Sequence, residues 1–153
     1  MKKIEIYTPL TIYDAVEELP VEVQQLVKIA IEARKTAYAP YSNFNVGAAL
    51  MLENGKIISG NNQENAAYPS GICAERVAIW KAASEYPNVK VTKLVINANS
   101  NLKLVDAPVS PCGACRQTLF EYESKQESSI EVYFMGETGK IFKTDSLKDL
   151  LPV

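Results

Sequence analysis

The 153-residue sequence has no histidine and only three cysteines. Any metal site in this chain must therefore draw its ligands from sulfur or carboxylate. Three thiols are an odd number, so they cannot all pair with one another. A basic excess is also missing: 16 Lys and Arg face 18 Asp and Glu, for a net charge of −2 and a pI near 5.3. Proteins that track phosphate backbones usually carry such an excess, so a small-molecule partner is expected and nucleic acid is not. No stretch approaches the roughly 18 consecutive apolar residues of a membrane span, and no membrane partner is expected. The opening "MKKIEIYTPLTIYDAVEELP" starts with two lysines, but Asp14, Glu17 and Glu18 break any apolar run of the signal-peptide kind. In a chain without an export signal, thiols serve as metal ligands or catalysts more often than as staples. A cytoplasmic location is the expectation.

The rest of the composition, 47% apolar and 22% charged, is that of a globular chain rather than a disordered one. The length suits a single domain over residues 1–153 with a core that needs no disulfides. Residues 1–19 carry no clear pattern and are read as an N-terminal extension of unclear role. Internal repeats and linker-like tracts are absent.

Periodicity supplies the elements. In "PVEVQQLVKIAIEARKTAYAPYS", Val23, Leu26, Val27, Ala30, Ala33 and Ala37 keep helical spacing until Pro40 stops the run. "FNVGAALML" and "IISGN" are two short strands about an Asn54-Gly55 turn, a strong hairpin signal. "CAERVAIWKAASEYP" is a second helix, "VTKLVINAN" a buried-looking strand and "CGACRQTLFEYES" a third helix. "SIEVYFM" and "KIFKT" are closing strands and "DSLKDLLP" a short helix. The order α-ββ-α-β-α-ββ-α implies an α/β fold with a sheet of about five strands covered by helices on both faces.

The three cysteines fall in two motifs, "GICAER" and "PCGACR", with Cys73 39 positions before Cys112. Cys73 stands at the start of the second helix, Cys112 and Cys115 at the start of the third. Helix N-termini carry positive partial charge and stabilise thiolates. A structural zinc site usually takes four Cys or His ligands, whereas three protein ligands and an open place mark a catalytic zinc. A thioredoxin-like dithiol would explain Cys112 and Cys115 but leave Cys73 and Glu75 without a part. A redox or zinc-stabilised interaction module therefore stays a reading from another class.

The combination of "CAE" and "PCGAC" resembles the zinc-dependent nucleoside deaminases, whose signature is His-x-Glu followed by Pro-Cys-x-x-Cys, with an all-cysteine variant. Further stretches, "APYSNFNVGAAL", "GNNQENAAYPSGICAER", "SPCGACRQ" and "LKDLLP", resemble the homotetrameric cytidine deaminases in order from about Ala39 to Pro152. The resemblance implies a three-layer α/β/α sandwich with a mixed five-stranded sheet. It implies hydrolysis of cytidine and 2′-deoxycytidine to uridine and 2′-deoxyuridine with release of ammonia, a step of pyrimidine salvage. Cys73, Cys112 and Cys115 would hold one Zn²⁺ per subunit, and Glu75 would carry protons from water to the base and the departing amine. Arg76 matches a family arginine that hydrogen-bonds ligand sulfurs; otherwise it would be a surface ion pair.

For the nucleoside, the resemblance places Asn62 and Glu64 at the ribose, Phe44 on the pyrimidine and the Ala74 backbone at the base. Asn65 belongs to the same pocket, and Tyr68 would lie near a neighbouring subunit's pocket in a homotetramer with shared active sites. Read from the residues alone, Asn61, Asn62 and Asn65 are first of all turn residues after a strand, and Phe44 a core aromatic. Trp80 reads as packing or interface. Family members commonly continue past "LLP" to an aromatic, whereas this sequence ends at Val153, leaving the C-terminus without an expected role. A blasticidin-type aminonucleoside deaminase shares the three cysteines and the Cys-Ala-Glu; "NQENAAY" and "LLP" favour the cytidine enzymes.

Overall fold

The computed structural model describes residues 1–151. Pro152 and Val153, on which the expectation about the C-terminus falls, lie outside the described residues. Six strands form one mixed sheet: β1 (Thr11–Tyr13), β2 (Phe44–Leu52), β3 (Ile57–Asn61), β4 (Val91–Ser100), β5 (Glu131–Met135) and β6 (Ile141–Thr144). Their order across the sheet is β1-β6-β5-β4-β2-β3, with β4 and β5 parallel and every other pair antiparallel. The helices are α1 (Val21–Arg34), α2 (Ala74–Glu85) and α3 (Gly113–Gln126), with 3-10 turns at Val16–Glu18, Tyr68–Ser70 and Leu147–Leu150.

The sheet thus has six strands where five were expected. The extra one comes from the N-terminal extension, where Thr11, Ile12 and Tyr13 pair with Lys143, Phe142 and Ile141 at the outer edge. Three residues are too few to show an alternating pattern, which is why the strand was not apparent in the sequence.

Alternation along the strands sorts side chains into two cores, one on each face. Ala49, Val95, Tyr133 and Met135 meet Val23, Leu26, Val27 and Ala30 of α1. Ala48, Leu50, Leu94, Ile96 and Val132 meet Ala74, Ala78, Ile79 and Ala82 of α2 and Leu119 of α3. Each Val or Leu buried this way contributes about 1.5–3 kcal/mol. The first helix ends at Arg34, short of the stop expected from Pro40. The chain peels away because Tyr38 takes up β-like pairing instead: its N–H donates to Asn62 O and its carbonyl accepts from Glu64 N. Tertiary pairing overrides helical periodicity there.

Strand direction decides where the chemistry gathers. β2 is antiparallel to both β3 and β4, so β3 and β4 run the same way. Each is followed by a helix on the same face, and α2 and α3 therefore begin at the same end of the sheet. Gly60 lets α2 sit close: a Cβ there would lie 2.7 Å from Ala74 O and 2.7 Å from Ala78 N. No described helix is long and apolar enough to cross a membrane.

Candidate metal centre and active site

Cys73 caps α2, Cys112 caps α3, and Cys115 lies in the first turn of α3. The shared orientation of the two helices brings the three sulfurs within 4.8 Å of one another. Cys73 Sγ and Cys112 Sγ are 3.9 Å apart, far beyond a disulfide bond, and all three cysteines are free. Ligands about 2.3 Å from a tetrahedral zinc are separated by roughly 3.8 Å. Donor type, count and spacing therefore fit zinc with one coordination place left over. The grouping expected from sequence is present, and no histidine is needed to complete it.

The surroundings of Cys73 favour its thiolate. Hydrogen bonding from Cys115, then from Arg76 and Cys112, overcomes the burial of Cys73 and lowers its thiol to about 5. Cys115 is pushed up in return, since it donates to the Cys73 sulfur and is itself fully buried. Arg76 stands one helical turn after Cys73, with Nη2 3.5 Å from the Cys73 sulfur and its guanidinium 5.9 Å from the centre of the Trp80 ring. A positive group so placed would offset the surplus charge of three thiolates were they to share a divalent ion. Arg76 Nε is buried without a hydrogen-bond partner among the described residues.

Glu75 follows the Cys73 cap by two residues and is 4% exposed. Burial raises its carboxyl to about 7, and the Cys73 charge adds to the effect. A carboxyl poised there can take and return a proton at neutral pH. Its place in the first turn also suits the helix dipole. The two roles are compatible.

An open cavity of about 580 Å³ runs from Cys73 and Arg76 to Asn62, Glu64, Asn65 and Tyr68. Four of the residues expected at the nucleoside thus share one hollow with a candidate metal ligand. Phe44 and Ala74 flank this region without lining it: Phe44 opens β2 and Ala74 is fully buried at the start of α2. Glu64 is the best prepared of the set. Its Oε2 accepts from the backbone N–H groups of Tyr41 (3.0 Å) and Ser42 (3.2 Å), and its Oε1 from the Ser42 hydroxyl (2.5 Å). The Ser42 bond leads in holding its carboxyl below the ordinary range.

Asn62 spends much of its amide on structure, Oδ1 accepting from Val46 N and Nδ2 donating to Phe44 O. Asn61 Nδ2 donates to Ala33 O and Thr36 Oγ1, and Asn65 Oδ1 accepts from Ala67 N. The turn-residue reading is thus met at Asn65 but not at Asn61, which ends β3 and ties it to the end of α1, while one amide hydrogen and one lone pair of Asn62 remain for a ligand. Tyr68 is 90% exposed. Sequence reasoning did not single out Tyr41, Ser42 and Gln63, which also line the cavity. Their residue types are ordinary, and it is the pairing of Tyr38 with Gln63 and the bonds of Glu64 to Tyr41 and Ser42 that bring the two segments together.

Residues 20–129 match the model of the cytidine and deoxycytidylate deaminase zinc-binding region. The chain is 48% identical over 129 residues to a cytidine deaminase of Halalkalibacterium halodurans, covering 84% of this chain and 90% of that one. It is 43% identical over 132 residues to a cytidine deaminase of Sporosarcina psychrophila, covering 86% and 89%. The crystal structure of cytidine deaminase from Burkholderia pseudomallei superposes with a TM-score of 0.73 at 37% identity, covering 88% of this chain and 98% of that one.

Proposed function

The chain belongs to the family of zinc-binding cytidine and deoxycytidylate deaminases, and from that premise we propose that it hydrolyses cytidine and 2′-deoxycytidine. The reaction adds one water to the nucleoside and yields uridine or 2′-deoxyuridine and one ammonia. The observation that carries the reading is the three-sulfur cluster with a buried, proton-ready Glu75 two residues from one of its members. Cys73, Cys112 and Cys115 would hold a zinc ion, whose Lewis acidity would lower the pKa of water to about 7 and make a nucleophile available at neutral pH.

The chain's own groups do the rest. Glu75 accepts the proton of the incoming water, passes it to N3 of the base, and protonates the amine as it leaves C4. Arg76 tempers the charge of the thiolates so that the metal keeps its acidity. Glu64, fixed by Ser42 and Tyr41, and the free amide valences of Asn62 take the ribose hydroxyls. Phe44 packs on the pyrimidine, the Ala74 backbone meets the base, and Asn65 shapes the pocket wall. A carboxylate at the sugar favours a neutral nucleoside over a phosphorylated one at short range.

Several finer statements belong to the same proposal. The chain acts as one catalytic domain in the cytoplasm, in pyrimidine salvage, and as a homotetramer with shared active sites. The exposed Tyr68 at the cavity mouth supports the last of these, since an aromatic left in solvent is suited to a partner's surface. The test is an absorbance assay on cytidine, deoxycytidine, cytosine and cytidine monophosphate, paired with sedimentation of the same sample. Turnover of the two nucleosides by a tetramer is expected. Turnover confined to cytosine or the nucleotide would overturn the substrate reading, and a fully active monomer the shared site.

A further inference from the structure

The three sulfurs are not held equally. Cys115 is fully buried inside the first turn of α3. Cys73 caps a helix that Gly60 seats against the sheet, and Arg76 reaches back to its sulfur. Cys112 is exposed and ends a stretch, residues 101–112, without helix or strand. Among the described residues, 106–111 make no backbone–backbone hydrogen bond. Cys112 O accepts from Arg116 N (2.9 Å) at the cap of α3, but the loop leading into it needs an anchor of its own.

Arg116 provides one. Its Nε donates to Pro111 O (2.8 Å), Nη2 to Ser110 Oγ (2.9 Å) and Nη1 to Leu150 O (3.2 Å). The Pro111 carbonyl belongs to the same planar peptide as the Cys112 nitrogen. Holding that oxygen fixes the peptide plane that leads into Cys112, and together with the Arg116 N to Cys112 O bond it leaves the rotation about the Cα–Cβ bond as the main freedom of the thiol. The third acceptor, Leu150 O, sits on the 3-10 turn Leu147–Leu150, whose start is secured from α3 by Glu123 through Ser146 Oγ (2.5 Å) and Leu147 N (3.0 Å). The planar guanidinium fork thus joins the end of the loop to a frame anchored on the same helix.

We infer that Arg116 is a positioning residue for Cys112, setting the sulfur that completes the zinc site by clamping the Pro111 carbonyl to the C-terminal 3-10 turn. The inference rests on the reading of the three cysteines as a zinc centre. Outer groups that orient metal ligands are commonly worth about 10–100-fold in metal affinity, and Arg116→Met should fall in that range. A wholly structural role would lower the unfolding midpoint and leave metal retention alone.

The experiment compares the zinc-loaded wild type with Arg116→Met and Arg116→Lys. It follows zinc release to a chromophoric chelator below the unfolding transition, and thiolate-to-metal absorption in the cobalt-loaded proteins. Release from Arg116→Met should be about 10-fold faster or more, with weaker thiolate-to-cobalt absorption per bound ion. Arg116→Lys, which keeps the charge but not the fork, should fall between. Wild-type release and an unchanged cobalt spectrum in Arg116→Met, whatever its unfolding midpoint, would overturn the inference. Should that variant fail to fold, Ser110→Ala carries the test by removing one acceptor. Release several-fold faster than wild type is then expected, and an unchanged rate overturns the claim. A wild-type protein that binds no zinc would instead remove the metal reading beneath it.

Discussion

Gly60 offers a way to move one half of the proposed zinc site without touching a ligand. A Cβ at this position would lie 2.7 Å from both Ala74 O and Ala78 N, against about 3.4 Å for ordinary contact, a shortfall of 0.7 Å. Both atoms are backbone and cannot rotate away, so α2 must lift or slide by a comparable distance. Cys73 caps that helix and moves with it, while Cys112 and Cys115 on α3 do not. Overpacking of this kind costs about 1–3 kcal/mol. A misplacement approaching 1 Å at a reacting centre can cost on the order of 100-fold in rate. Gly60→Ala should therefore lower the unfolding midpoint modestly, weaken zinc retention and reduce turnover about 10- to 100-fold. Leu26→Ala is the control: it empties a fully buried site on the α1 face and costs about 2–5 kcal/mol, but should leave zinc retention and turnover near normal. Unfolding curves, metal analysis and the cytidine assay on the three proteins decide. Equal losses of zinc in the two variants, or normal turnover in Gly60→Ala, would refute the idea that strand β3 sets the position of Cys73.

Other consequences are simpler to test. Glu75→Gln keeps the shape of a buried side chain but cannot carry a proton, so zinc content and unfolding midpoint should hold while turnover drops about 100- to 10,000-fold; near-normal turnover would remove Glu75 from the chemistry. Chelation under reducing conditions should abolish activity and lower the midpoint by several degrees, both recovered on adding zinc, because an ion bound by the folded state stabilises it by mass action. Deletion of residues 1–14 strips β1 from β6 and exposes a strand edge; it should cost roughly 1–3 kcal/mol and promote concentration-dependent association seen by light scattering, with catalytic constants little changed.

What could be read from the sequence, and what could not, follows from the range of the forces involved. Helix spacing, strand alternation and the Asn54-Gly55 turn are local signals, and they located α1, α2, α3 and strands β2 to β6. The two cysteine motifs were legible because their residue types and intervals are restricted by the chemistry of the metal. Strand β1 was not, since its three residues find their partner about 130 positions away. The end of α1 at Arg34 was missed for a related reason: pairing of Tyr38 with Gln63 outweighs the local helical pattern. Asn62 and Glu64 were named by resemblance, yet their bonds to Val46, Ser42 and Tyr41 depend on two segments meeting in space. Arg116 drew no attention in the sequence, because its acceptors are backbone carbonyls and a serine hydroxyl that any sequence could supply.

X-ray absorption at the zinc edge addresses the core of this account. Purified, zinc-loaded protein should show three sulfur neighbours near 2.3 Å and one light atom near 2.0–2.1 Å. A shell of four sulfurs, which would need a thiol from a second chain, or one with fewer than three would contradict a site built by Cys73, Cys112 and Cys115 with a place left for water.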